Sequence, residues 1–366
     1  MERILVIGMS GDCGGIENYL LNMYEHIDHG KIQFDFLVKE EIGETFTTRI
    51  KHQGGEIFTV GTLKKDVFRV VNRIRKIFFE RKYQKVYVNL SYFPTMIYVL
   101  PGLRYLNHIF IHSHASDDNR KKKHFFFRKL LFPLLKKNSE LHYMGCSEDA
   151  CFWMFGKDEC TKHGFTVINN AIEFEKFSYD ENMRKKIRHD LGLGDNFVVG
   201  HVGRFNPEKN HKFIIEAFRE LHQKNHNTRL LLIGDGKLFD EIKKMVFDYS
   251  LSDVVTFTGV IADSYKYYNA MDCFWLPSIF EGLPMVAIEA ETNGLPCLFS
   301  DRITRDVDVI GNNQLLCIEK TEFFVYKTLE IDRKWKRTIE YSDFVKTGYD
   351  IITESNKLEV VLLSAV

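Results

Sequence analysis

Short apolar runs alternate along the chain with longer stretches in which apolar and polar residues mix at helical spacing. The runs 3–8 (RILVIG), 34–39 (FDFLVK), 85–90 (KVYVNL), 108–114 (HIFIHSH) and 141–147 (LHYMGCS) predict strands, with an amphipathic helix over 15–27 after the first. Nearly continuous apolar strands between helices belong to parallel sheets covered on both faces. The pattern restarts at 197–204 (FVVGHVGR) and continues through 229–236, 254–259, 273–278 and 296–301. Helix-like stretches lie near 209–224, 237–250, 263–270 and 284–294. At 366 residues the chain exceeds the size over which one core keeps growing, so two α/β domains are expected.

Charge and cysteine usage narrow the class. Lys+Arg and Asp+Glu balance at 50 each, which removes the global electrostatic case for nucleic acid, and no recognition motif replaces it. The seven cysteines are scattered without a C-x-x-C, so neither a disulfide framework nor a zinc cluster is supported. Free thiols suit a reducing cytosol. The first apolar run is five residues long and ends in glycines, unlike a signal peptide, and no run reaches the length of a membrane span. A cytoplasmic protein is expected, with contact to the inner face of the membrane left open.

In open α/β sheets ligands sit beyond the carboxyl ends of strands, so the residues after each run are the candidates. The turn 8–18 (GMSGDCGGIEN) is glycine-rich and opens a helix, as an anion or sugar site requires, but it lacks both the P-loop lysine and G-x-G-x-x-G. The segment 203–211 (GRFNPEKNH) places Arg204 and Lys209 around a proline turn, two cations suited to a diphosphate or simply two solvated surface groups. Gly234 in 234–236 (GDG) follows the next strand. The run 112–116 (HSHAS) ends in two histidines, of which His114 lies nearer the strand tip than His112. In 281–290 (EGLPMVAIEA), Glu281 precedes a helix and Glu289 lies nearly two turns inside it, eight residues on. Two carboxylates so spaced can accept hydrogen bonds from two parts of a polyhydroxyl ligand; alternatively, Glu281 is a cap and Glu289 a buried, paired residue.

Together GRFNPEKN, LLLIGDG, VTFTGVI, PSIFEGLPMVAIEAETNGLPCLFSD and the N-terminal GGIEN resemble the retaining family-4 (group 1) glycosyltransferases of the GT-B fold, in particular those of bacterial capsule and exopolysaccharide assembly. CSEDACFWMFG (146–156) and VINNAIEFEKF (167–177) also look like that family, and the resemblance runs from residue 1 to about 317. It implies two Rossmann-like α/β domains facing across a cleft: an acceptor-side domain over 1–172, a linker over 173–196, a nucleotide-sugar domain over 197–345, and a C-terminal helix over 346–366 returning to the first domain. The final segment matches the family only loosely.

Carried over position by position, the resemblance implies that Arg204 and Lys209 hold the donor diphosphate, Glu289 the ribose hydroxyls, and Glu281 with the amides of Gly282, Leu283 and Met285 the transferred sugar. Val260 or Ile261 would lie against the base. Gly203 and Gly234 would line the donor site, Gly15 would face the diphosphate from the N-terminal domain, and His114 would contact the sugar or acceptor. No protein nucleophile is implied. No D-x-D ends a strand of the first domain, and DVD (306–308) reads as a surface turn, so neither metal nor other cofactor is expected. UDP is the expected nucleotide, although GVIADS (259–264) does not separate uracil from guanine.

The segment 119–137 carries eight Lys/Arg and no acid, interleaved with aromatics. It reads as an amphipathic surface for anionic lipid, which would suit a lipid-linked acceptor, or as a core-facing helix with a solvated basic face. Two other functions compete: a catalytically silent GT-B scaffold, against which Arg204, Lys209 and Glu289 are all present, and a dehydrogenase, which the absent G-x-G-x-x-G disfavours.

Overall fold

The structure, a computed structural model, describes residues 1–10, 15–115, 121–331 and 334–364. The chain divides into two compact units, Met1–Ala171 together with Ile351–Val366, and Ile172–Asp350. Each is a parallel sheet wrapped by helices, as the alternation of apolar runs predicts.

The first unit contains β1 (Glu2–Ile7), β2 (Ile32–Val38), β3 (Ile57–Thr59), β4 (Lys85–Leu90), β5 (His108–Ser113), β6 (Glu140–Gly145) and β7 (Thr166–Val167), in the order β3-β2-β1-β4-β5-β6-β7. β2, β4 and β5 are buried along their whole length. The two-residue period of a strand sends alternate side chains to two cores: Leu5, Ile7, Val86, Val88, Ile109 and Ile111 face one, while Ile4, Val6, Tyr87 and Phe110 face the other. The helix Ile351–Ser364 supplies Ile351, Leu358 and Leu362 to the second of these cores. Its carboxylates fasten it further. Glu354 accepts from the Asn169 N–H at 2.7 Å, and Glu359 accepts from the Asp28 N–H at 3.0 Å and pairs with Lys31 at 2.6 Å.

The second unit contains β8 (Phe197–Val202), β9 (Thr228–Ile233), β10 (Val255–Phe257), β11 (Cys273–Leu276), β12 (Cys297–Ser300) and β13 (Asn313–Leu316), ordered β10-β9-β8-β11-β12-β13. Residues 173–196, expected as a linker, carry the helices Phe174–Phe177 and Glu181–Asp190 and pack within this unit. Ile187 and Leu193 enter its core, and Arg184 and Arg188 grip Asp272 at 2.6 and 3.2 Å. The helix expected over 263–270 is a single turn, Tyr265–Tyr268. Among the described residues no helix is long and apolar enough to cross a membrane.

Candidate functional site

In the second unit β8 lies between β9 and β11, so the chain leaves β8 towards one edge of the sheet and later returns to build the other. That reversal opens a crevice beyond the carboxyl ends of β8 and β11, the place where open α/β sheets bind ligands. The loops following these two strands are tied together there. Ile279 N–H donates to Glu208 O at 2.8 Å, and Asn210 Nδ2 donates to Pro277 O at 3.2 Å. Asn210 holds a left-handed φ of 57°, which turns the chain from the single turn Pro207–Lys209 into the helix His211–Lys224. Asn206 closes that turn by accepting from the Lys209 N–H at 3.2 Å.

The result is a direct ion pair, Lys209 Nζ to Glu281 Oε1, between side chains only 16% and 17% exposed. Ser278 Oγ donates to the same carboxylate oxygen at 2.9 Å. One helical turn and a half beyond Pro284, Glu289 Oε2 accepts from the buried Tyr268 hydroxyl at 2.6 Å. Burial pushes the Glu289 carboxyl above its usual range, against the lowering pull of Tyr268, Lys176 and Lys209. Among the described residues, Glu281 Oε2 and Glu289 Oε1 accept no hydrogen bond from the protein, leaving one oxygen of each carboxylate for a ligand hydroxyl.

No side chain caps the helix Met285–Thr292 at Pro284, and its first amides have no intrahelical acceptor. The N–H groups of Gly282, Leu283 and Met285 donate to no described protein atom. Arg204 is exposed, with its guanidinium in no hydrogen bond or ion pair among the described residues. Two glycines keep the floor of the crevice close-packed. A Cβ on Gly234, at φ 133°, would meet Gly203 O at 2.1 Å, and one on Gly203 would meet His201 Nε2 at 2.9 Å and Lys209 Cδ at 3.2 Å. Past β10, Val260 is 80% exposed while Ile261 packs into the core, so of the two only Val260 presents its side chain freely.

The remaining expected residues lie in the first unit. Gly15 opens the helix Gly15–His26, with no atom within 4 Å of an added Cβ; the glycine-rich residues 11–14 before it lie outside the described residues. His114 follows β5, with Nε2 2.8 Å from Asn89 Oδ1 and its ring stacked 4.3 Å from His112. Burial pushes its imidazole down to about 3, so it acts as a neutral hydrogen-bonding group at physiological pH. His112 is instead fully buried, with Nδ1 2.6 Å from the Tyr87 hydroxyl and 3.1 Å from that of Tyr19. DVD (306–308) sits in a turn capped by Thr304.

Four contributors escape sequence reasoning. Tyr268 orients Glu289 from 21 residues away, and no local pattern signals it. Ser278 stands three residues before Glu281, a spacing that is readable in the sequence. Asn210 joins the two loops, and Phe280, 60% exposed, adjoins Glu281.

Residues 183–328 match the sequence model of the family described as Glycosyl transferases group 1, a span that includes Arg204, Lys209, Glu281 and Glu289. EpsF of Bacillus subtilis, described as a putative glycosyltransferase, is 29% identical over 84% of this chain and 81% of its own. The UDP-Gal:alpha-D-GlcNAc-diphosphoundecaprenol alpha-1,3-galactosyltransferase of Escherichia coli is 33% identical over 46% of this chain and 42% of its own. Among solved structures, HepE of Anabaena in complex with UDP-glucose covers the whole of both chains with a TM-score of 0.75 at 21% identity, a likeness of fold.

Proposed function

We propose that this chain, which belongs to the group 1 glycosyl transferases and has their GT-B fold, moves a sugar from a nucleotide-sugar donor to an acceptor hydroxyl with retention at the anomeric carbon. The observation that carries the reading is the pairing of Lys209 with Glu281 across the β8/β11 crevice, with Glu289 behind and one oxygen of each carboxylate unengaged. Arg204 and Lys209 bind the donor diphosphate and neutralise the charge that grows on it as the anomeric C–O bond breaks. Glu289 accepts from the ribose hydroxyls. Glu281 and the amides of Gly282, Leu283 and Met285 hold the sugar, and Val260 lies against the base. On the first unit, Gly15 and His114 are assigned to the diphosphate and to the sugar or acceptor.

The acceptor oxygen attacks on the face from which the phosphate departs. The new glycosidic bond forms as the old one breaks, and the leaving phosphate oxygen takes the acceptor proton. No protein nucleophile is required, unlike in glycosidases that use one of two carboxylates to attack. Neutralisation by the two cations makes the reaction independent of metal and cofactor. The similarity to the galactosyltransferase, which uses UDP-Gal and a diphosphoundecaprenol-linked sugar, favours a UDP-sugar and a glycan or lipid-linked acceptor, and similarity to the capsular polysaccharide biosynthesis glycosyltransferase CapM of Staphylococcus aureus favours bacterial surface polysaccharide synthesis.

The helix Lys121–Asn138 supports contact with the inner face of the membrane. Phe126, Leu130 and Leu134, four residues apart, are 63%, 59% and 44% exposed, while Leu131, Phe132 and Leu135 enter the core. An exposed apolar stripe among Lys129, Lys136 and Lys137 suits an anionic bilayer surface.

Calorimetric titration with UDP, GDP, CMP and NAD, followed by turnover of UDP-sugars on an undecaprenyl-diphosphate-linked sugar, tests the reading. Nucleoside diphosphate binding with turnover supports it. Binding without turnover on any acceptor favours a silent scaffold, and binding of NAD alone would return the dehydrogenase.

A further inference from the structure

The first sheet carries a second group of ligating side chains, at the end of β5 opposite His114. His108 opens β5, and Glu140 and His142 lie on β6. The register pairs His108 with Glu140 and Phe110 with His142, so by the strand period all four side chains share one face. Five steps of about 3.3 Å run from His108 to Ser113, so this cluster is roughly 16 Å from the carboxyl end of its strand.

The donor atoms converge. His108 Nδ1 lies 3.2 Å from His142 Nε2 and 3.5 Å from Glu140 Oε2, and one ligand atom from each of the three residues falls within 4.8 Å of the others. Two zinc–ligand bonds of about 2.0–2.1 Å at a tetrahedral angle set their donor atoms roughly 3.3–3.4 Å apart. The two separations bracket that edge length. The His142 ring is held by stacking on Phe110, centroids 4.3 Å apart and planes 15° apart, and His108 is only 8% exposed. The Glu140 side chain is 68% exposed, so a fourth position faces solvent and can be completed by water.

We propose that His108, Glu140 and His142 form a binding site for one Zn²⁺ or a similar borderline divalent cation. Two imidazoles and one carboxylate select zinc, cobalt, nickel or copper over magnesium and calcium, which favour all-oxygen shells. Bound there, the ion clips the start of β5 to the start of β6. That role is structural and takes no part in the sugar transfer proposed for the second unit. Without an ion, the two ring nitrogens share one proton at the same distance, so metal uptake decides between the two states.

The test uses the full chain, stripped with a chelator and dialysed against Zn²⁺, with bound metal measured by elemental analysis. One zinc per chain is expected, with a rise in thermal unfolding midpoint that Mg²⁺ does not reproduce. Co²⁺ should give the visible absorption of a tetrahedral site. His142→Gln should abolish uptake, and Glu140→Gln should weaken it at least tenfold, since loss of a ligand removes one of three protein bonds. Glu140 is exposed, so its variant keeps the test decisive if His142→Gln fails to fold. No zinc uptake by the wild type, or uptake unchanged in Glu140→Gln and His142→Gln, overturns the proposal.

Discussion

Arg204→Ala separates binding from folding more cleanly than any other change in the candidate site. The Arg204 side chain is exposed and bonds to nothing else among the described residues, so its removal should change stability by no more than about 0.5 kcal/mol, the range of an ordinary surface substitution. For a unit of this size that is a shift of roughly 2 °C or less. In the proposed donor complex the same guanidinium would make charge-assisted bonds to a diphosphate, each contributing about 1.5–3 kcal/mol. Loss of one such bond weakens UDP binding by about 13- to 160-fold. Turnover should fall at least as far, because charge on the leaving group grows in the transition state. Lys209→Ala is the instructive contrast. It leaves Glu281 without its ion-pair partner at a site where the carboxylate is only 17% exposed, so it should lower both affinity and the melting temperature. Calorimetric titration with UDP, differential scanning calorimetry and steady-state turnover on the two variants read all three quantities. An Arg204→Ala protein with wild-type UDP affinity and turnover, or one that melts many degrees lower, would refute the assignment of Arg204 as a free diphosphate ligand.

The other predictions concern protonation, the terminal helix and the membrane. Glu289 is raised by burial and, in the proposed ribose role, must be ionised to accept from a hydroxyl, so UDP affinity should rise as pH increases through its elevated pKa. Glu289→Gln should abolish that dependence and weaken binding by about 1 kcal/mol, roughly fivefold, in titrations across pH. Glu291 is fully buried, and burial pushes it to about 7 despite bonds from the Val309 and Ile310 N–H groups at 3.0 and 2.9 Å. The folded state therefore holds a proton that the unfolded state releases at lower pH. Stability should fall as pH rises from about 4.5 to 7, by up to roughly 3 kcal/mol, and Glu291→Gln should flatten that slope in urea unfolding curves. Leu358→Ala should destabilise the first unit by about 2–5 kcal/mol, since Leu358 is wholly buried; a loss under about 1 kcal/mol by denaturant unfolding would show that the terminal helix is not part of that core. Phe126→Glu should abolish sedimentation with anionic liposomes at low salt without changing UDP affinity; retention equal to the wild type would refute the membrane contact.

Much of the fold was legible because a parallel sheet buried on both faces forces near-continuous apolar strands, and those stand out in any window. β4 and β5 have that form, and both were read within a residue of their bounds. The short strands β3, β7 and β13 were not, since two to four partly exposed residues carry too little apolar signal. Residues 173–196 misled for a related reason: a charged stretch reads as a linker until Arg184 and Arg188 find Asp272 about 85 positions away.

The candidate site divides along the same line. Arg204, Lys209, Glu281 and Glu289 were readable because loops after strands carry their chemistry in contiguous segments, and the eight-residue step from Glu281 to Glu289 is a local property of one loop and helix. The fold class was therefore legible in the chain itself, as was the choice of candidate groups. Tertiary structure alone decided their pairing. Strand order set β8 beside β11, which brought Lys209 onto Glu281, while the packing of the turn before β11 against the helix after it put Tyr268 under Glu289. It also set β5 against β6 in the register that faces His108 towards Glu140 and His142. Pairing of this kind depends on which strands become neighbours, and hydrophobic periodicity, being the same for every buried strand, carries no record of neighbour choice.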